Sequence, residues 1–305
     1  MEQGFVRWTT RLAGLAVAVA ASVWANDSLP RRPTGRRVPL APGAQIAFSS
    51  NSNGNRDIYA MVIDGSGLRR LTTYDDDDGY PCWSPDGERI AFYAYHGTET
   101  WSIYTMRADG SERRRLTHRE GAQDYAPQWS PDGQHIAFSS YDEGRDEIWV
   151  MNANGSNQRR LDGVAGSGPR WSPDGSRFTF ASNHDGNTDI YLMNVDGTDV
   201  QQLTFGEERD LWPSWSPDGR RIAFMSNRDS NFEIYAMNAD GSNQRRITRN
   251  EVDDWEPKWS PDGRWVMYYS QRNSGWEIFI TTSDGREELQ LTSGNLTGSQ
   301  ATWHP

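Results

Sequence analysis

The sequence predicts an all-β fold, a six-bladed β-propeller of four-stranded antiparallel blades, from three observations. A pentapeptide, Trp-Ser-Pro-Asp-Gly, begins at Trp83, Trp129, Trp171, Trp215 and Trp259, with a truncated echo at Trp303-His304-Pro305. Successive tryptophans lie 46, 42, 44, 44 and 44 residues apart, a period that holds four strands per unit and is too long for a leucine-rich turn. Between the pentapeptides, short runs of aromatic and β-branched residues alternate with Gly, Asn, Asp and Ser, the pattern of strands and their turns.

Within one unit the order of elements can be read directly. The pentapeptide is the end of a first strand together with its turn: the tryptophan offers a broad surface to a neighbouring sheet, and Asp-Gly reverses the chain. A second strand follows at Ile90-Ala91-Phe92, Ile136-Ala137-Phe138, Phe178-Thr179-Phe180, Ile222-Ala223-Phe224 and Val266-Met267-Tyr268. The third is typified by Ile58-Tyr59-Ala60-Met61 and Ile234-Tyr235-Ala236-Met237. Asx-Gly pairs at Asp64, Asp109, Asn154, Asp196, Asp240 and Asp284 then predict two-residue type I′ hairpins. A fourth strand is expected to end in Leu-Thr or Ile-Thr, as at Leu71-Thr72 and Ile247-Thr248. One such meander cannot bury both faces, so six must stack radially.

Counting strands predicts how the ring closes. Residues 46–72 supply strands two, three and four of a blade that has no first strand. Residues 301–305 supply the missing one, a 3+1 closure that leaves few exposed edges.

The order Trp-Ser-Pro-Asp-Gly, Ile-Ala-Phe, Ile-Tyr-x-Met-Asn-x-Asp-Gly-Ser, Leu-Thr resembles the repeats of the TolB-like, or PD40, β-propellers over residues 46–305, and differs from ordinary WD40 repeats. The resemblance implies a propeller that binds proteins in the cell envelope. Family members of the Tol-Pal system carry an α/β domain ahead of the propeller. Here only about 20 residues separate the leader from the first strand, far below domain size, so that domain is expected to be absent and a Tol-Pal role is not carried over.

Residues 1–25 read as a secretory signal peptide: Arg7 and Arg11 precede an apolar stretch at residues 12–22, and Val23-Trp24-Ala25 suits a small-residue cleavage rule. Cleavage would remove Glu2, Arg7 and Arg11, net +1, taking the formal charge from −11 to −12. The mature protein is expected to be periplasmic or secreted, monomeric, and without stable membrane insertion. Residues 26–45 form a proline-containing flexible lead-in. An acidic balance argues against nucleic acid and anionic membranes as partners. The single cysteine, Cys82, has no internal disulfide partner, and stands where the other units have Gln128, Arg170, Ser214, Lys258 and Thr302, which suggests a tolerated small residue rather than a reactive thiol.

Recognition residues are expected on loops held by the scaffold, here those joining strand four to strand one and strand two to strand three. Asp78, Asp124, Asp210 and Asp254 each stand five positions before a signature tryptophan. Either they form an acidic ring at the channel mouth that attracts a cation or a positively charged peptide group, or each shapes its own turn into the following proline. A structural cation at Asp75-Asp76-Asp77-Asp78 is a candidate, although the spacing does not match an EF-hand. Asp57, Glu147, Asp189, Glu233 and Glu277 recur before the isoleucine of strand three and read as scaffold. Departures from the repeat are better candidates: Tyr80, Tyr125, Trp212 and Trp255 in the first loop set, and Trp101, Phe232 and Trp276 in the second. Their rings suit peptide side chains, cations or sugars.

Catalysis has little support. The sequence has no Gly-x-Ser-x-Gly elbow, no His-Glu-x-x-His, no P-loop and no dinucleotide fingerprint, and no cofactor is implied. Its five histidines fall at unrelated places in the repeats. The function expected is an exported, non-catalytic propeller that binds a protein or peptide. The alternative is a carbohydrate-binding or carbohydrate-active propeller using the loop aromatics and a carboxylate pair.

Overall fold

The computed structural model describes residues 43–96, 100–272, 275–293, 296 and 298–305. The expected signal peptide and residues 26–42 of the lead-in lie outside them. Every regular element among the described residues is a β-strand, and these form six four-stranded antiparallel sheets. Their innermost strands are Ser299–Trp303, Asp78–Trp83, Gln123–Trp129, Ser167–Trp171, Asp210–Trp215 and Asp254–Trp259, named here as blades one to six in that order.

Blade one is the 3+1 closure that strand counting predicts. Ile46 pairs with Trp303, Ala47 with Thr302 and Ser49 with Ser299. His304 N–H donates to the Gln45 carbonyl at 2.9 Å, and the Trp303 indole N–H crosses to the Lys258 carbonyl of blade six at 3.2 Å. On the other side the His304 ring meets Trp83 of blade two edge-on, centroids 4.7 Å apart. The first and last described strands are thus tied to each other, and the last residues also to both neighbouring blades.

The apolar runs build the core between blades. Ala47, Ile58 and Ala60 of blade one pack with Trp83, Ile90 and Phe92 of blade two, and Ile190 and Leu192 of blade four pack with Ile222 and Phe224 of blade five. Burying each isoleucine, leucine or phenylalanine among them contributes about 1.5–3 kcal/mol. Within blades a phenylalanine or tyrosine of strand two lies against an aromatic of strand three at nearly constant separation, as in Phe48–Tyr59, Phe92–Tyr104 and Phe224–Tyr235, all at 5.8 Å.

Two local expectations are corrected. The Asx-Gly hairpins are not two-residue type I′ turns, because only the glycine has positive φ. Gly65 N–H donates to Val62 O while Val62 N–H donates to Ser66 O, a type I turn closed by a glycine bulge. Asp64 Oδ1 accepts from both the N–H and the hydroxyl of Ser66, which holds the aspartate at negative φ. The outer strands also end earlier than expected: Arg69–Arg70 stops before Leu71-Thr72. The leucine N–H still donates to the strand-three isoleucine carbonyl, as Leu71 does to Ile58 at 2.7 Å, while the threonine hydroxyl takes the place of a backbone acceptor. Thr72, Thr117, Thr204, Thr248 and Thr292 each accept the N–H of the strand-three isoleucine at 2.8–3.0 Å. Four of them donate in turn to the preceding carboxylate, Asp57, Asp189, Glu233 or Glu277. Those recurrent acids are scaffold, as their repetition indicates.

Candidate binding channel and loop face

Each inner strand is broken at the same place. The residue three before the signature tryptophan has positive φ: Tyr80 (51°), Ala126 (51°), Gly168 (65°), Trp212 (53°), Glu256 (50°) and Gln300 (52°). The ladder slips there in all six blades. A bulge of this kind re-aims a side chain, and a non-glycine residue held there costs about 1–3 kcal/mol. The bulge residues form one tier of the channel wall. Cys82, Gln128, Arg170, Ser214, Lys258 and Thr302, two positions on, form a second tier nearer the signature turns.

The first tier closes on itself. Blades two and five face each other across the ring, and the Tyr80 and Trp212 rings stack with centroids 5.3 Å apart and planes 22° apart. Trp212 reaches over Gly168, where an added Cβ would lie 3.3 Å from the indole. The Tyr80 hydroxyl donates to Glu256 Oε1 at 2.7 Å, and the Tyr269 hydroxyl donates to the same oxygen at 3.0 Å. The Tyr80 N–H donates to Gln300 Oε1 at 3.2 Å. Glu256 is buried and its Oε2 has no hydrogen-bond partner among the described residues. Burial raises its carboxyl above the ordinary value against the pull of Lys258, while burial and then Glu256 raise both tyrosines well above theirs. These contacts plug the channel at the bulge tier. In the second tier, burial pushes the Cys82 thiol up, in keeping with a structural residue.

The four aspartates do not form an acidic ring. Each is buried in its own blade and engaged with a neighbour: Asp78 with Arg113 at 3.2 Å, Asp124 with Arg119 at 2.9 Å, Asp210 with Arg228 at 3.0 Å, and Asp254 with Asn250 at 2.7 Å. Burial outweighs the nearby guanidinium at Asp78 and pushes its carboxyl up to about 7. Asp254 rises to about 6, chiefly through burial. The partners are mostly arginine side chains rather than the turn backbone, and each aspartate is engaged within its own blade. The candidate cation site is likewise dispersed: Asp77 accepts the Arg56 N–H, and Asp76 and Asp78 face Arg113. Among the described residues no three His, Cys, Asp or Glu side chains stand together as a metal site would require.

The aromatic departures gather at the face where the predicted loops meet. One line runs from Trp212 through Tyr80 and Tyr93 to Trp101 and Tyr125, with successive centroids 5.2–6.0 Å apart. A second group joins Trp255 to Phe232, Tyr269 and Trp276 at 5.4–6.4 Å. Trp101, Trp255 and Trp276 are half-buried, Tyr125 and Phe232 buried, and Phe205 on the same face is 71% exposed. The Tyr125 hydroxyl donates to Asp146 Oδ1 at 2.6 Å. Burial lifts that carboxyl to about 6, and the tyrosine hydrogen bond only partly offsets it.

The family model described as the TolB beta propeller domain matches residues 78–168 and 126–305, three quarters of the chain. The chain belongs to the TolB β-propeller family. It is 29% identical over 124 residues to a protein TolB homolog of Chlorobium chlorochromatii, covering 41% of this chain and 27% of that one. It is also 29% identical over 120 residues to the Tol-Pal system protein TolB of Desulfosudis oleivorans, covering 39% and 26%. The match therefore spans about a quarter of the length of these relatives. Among solved structures, TolB from Acinetobacter baumannii superposes with a TM-score of 0.77 at 25% identity, over 86% of this chain and 67% of that one.

In this TolB-family ring several site residues escape a reading based on motifs. Tyr93, Tyr269 and Arg56, whose Nη1 donates to the Tyr93 hydroxyl at 2.8 Å, sit in strands or loops with no unusual pattern. Glu256, Arg170 and Lys258 do carry a signal. They occupy the two inner-strand positions that vary most from blade to blade, and variation there marks the channel wall rather than tolerance.

Proposed function

We propose that this propeller is a protein- or peptide-binding module of the bacterial envelope and engages its partner through the loop face. The carrying observation is the pair of half-buried aromatic clusters that open on one face of a rigid ring. Tryptophan and tyrosine in partly desolvated pockets are the side chains that anchor interfaces, and their neighbours in the strands hold them without an entropic cost at binding. Relatives named for the Tol-Pal system support an envelope setting, and export through a cleaved leader is part of the same reading. No helix among the described residues is long and apolar enough to cross a membrane. The carbohydrate reading keeps the aromatic rings but loses the carboxylate pair, since Asp210 and Asp254 are committed within their blades.

Selection of displayed peptides against the immobilised protein tests the proposal. Enriched peptides should lose about tenfold or more in affinity with Trp101→Ala or Trp255→Ala, and should be indifferent to Val200→Ala on a turn of the opposite face. No enrichment, or binding insensitive to both tryptophans, would reject it.

A further inference from the structure

On the signature-turn side of the plug, the channel opens into a cavity of about 230 Å³. Arg170, Lys258, Gln128 and Ser214 line it, the signature tryptophans of blades two to five form its rim, and no aspartate or glutamate is among its lining residues. Arg170 is 5% exposed, yet among the described residues its one side-chain hydrogen bond runs to the Pro169 carbonyl at 3.2 Å and its Nε has no acceptor. Neither Arg170 nor Lys258 makes an ion pair among the described residues. The carboxylate both of them sense is Glu256, one tier deeper, and Glu256 Oε1 is already engaged by two tyrosine hydroxyls. One carboxylate thus faces two basic side chains and leaves the Arg170 guanidinium without an acid of its own, in a protein whose formal charge is −11. A buried charge without a partner is costly, and it is retained here beside a space open to solvent.

We propose that this cavity is a binding site for a small organic anion, a carboxylate borne on a flat ring or short apolar body. The guanidinium presents a planar fork to the carboxylate, the Lys258 ammonium adds a second donor, and the tryptophan rim covers the body of the ligand. The site lies across the plug from the loop face and does not depend on the function proposed for it. Lys258 gives the binding a signature. Burial, then the charge of Arg170, lower its ammonium to about 7 while Glu256 and Cys82 oppose the shift, so an anion that restores the charge draws in a proton.

Isothermal titration of the full chain with benzoate, glucuronate and acetate, and with benzamide as the uncharged analogue of benzoate, tests this. Benzoate should bind with Kd of about 1 mM or tighter, and more tightly than glucuronate, whose ring is puckered and polar, or acetate, which has almost no body. Its binding should be tighter at pH 6 than at pH 8, with proton uptake near pH 7.5 revealed by buffers of different ionisation enthalpy. Benzamide should not bind. Lys258→Gln should weaken binding by about tenfold and abolish the proton uptake, and Arg170→Gln should weaken it further. Lys258→Gln removes a charge that burial disfavours, so it keeps the test decisive if Arg170→Gln does not fold. The proposal is overturned if none of the carboxylates binds at about 10 mM, if benzamide binds as well as benzoate, or if Lys258→Gln binds benzoate like the unaltered protein.

Discussion

Trp303→Ala probes the closure on which the ring depends. The indole is 8% exposed and packs with Ile46, Trp265, Met267 and Ala301 where blades six and one meet. Truncating a buried tryptophan costs about 3–5 kcal/mol, and the lost indole hydrogen bond to the Lys258 carbonyl adds about 1 kcal/mol. Set against the 5–15 kcal/mol typical of a folded domain, roughly, this is about a quarter of the stability or more. Equilibrium urea unfolding followed by far-UV circular dichroism and by fluorescence should show one coincident transition shifted to lower denaturant, with an unchanged slope. Trp171→Ala is the internal control. Its indole donates to Gln128 O at 3.3 Å in the equivalent way, but it joins two blades with no chain end between them and is only half-buried, so it should cost less. A loss below about 1 kcal/mol for Trp303→Ala, or a larger loss for Trp171→Ala, would refute the idea that the C-terminal strand latches the ring. Deleting residues 301–305 should go further and split the transition in two, because strand Gln45–Ser50 would become a bare edge.

Thr248→Val should cost about 2–3 kcal/mol in the same assay, since it strands both the Ile234 N–H and Glu233 Oε2 in a buried site, and Thr248→Ser should recover most of it. Stability should also fall as pH rises from about 4 to 7. Asp78, Asp146 and Asp254 hold their protons to about 7, 6 and 6 in the folded state. Their contribution is therefore complete below the unfolded value near 4 and is lost on passing each folded value. Asp146→Asn should flatten this decline in thermal melts across that range, and an unchanged profile would show that Asp146 does not take part.

The fold was legible in the sequence to the level of the strand that closes it, because a motif repeated in register reports the same packing problem solved several times. What failed to read through was chemistry between elements. The Asp78, Asp124, Asp210 and Asp254 series looks like a ring when written out by repeat, but arginines from differently placed loop positions neutralise or satisfy three of its members, and no single motif announces Arg113, Arg119 and Arg228. The hairpin type is hidden from the sequence for a related reason. Asp-Gly satisfies a two-residue turn locally, and only the Ser66 hydroxyl and N–H bound to Asp64 select the longer one.

The distribution of variation has a mechanical origin. A strand-two residue such as Phe224 is fully buried against the neighbouring blade, and cannot change without disturbing that interface. An inward-facing residue of the first strand has the channel on one side, so its volume and charge are constrained mainly by whatever else points into the same space. That freedom explains why the positions of Tyr80 and Cys82 hold, around the ring, everything from glycine to tryptophan and from glutamate to arginine, while residues a few ångströms outward barely vary. It also explains how one repeated blade builds a channel with unlike ends. The bulge tier turns aromatic and shuts, and the tier below turns cationic and stays open. Each outcome rests on a few substitutions that the surrounding blades accommodate at little cost to their packing.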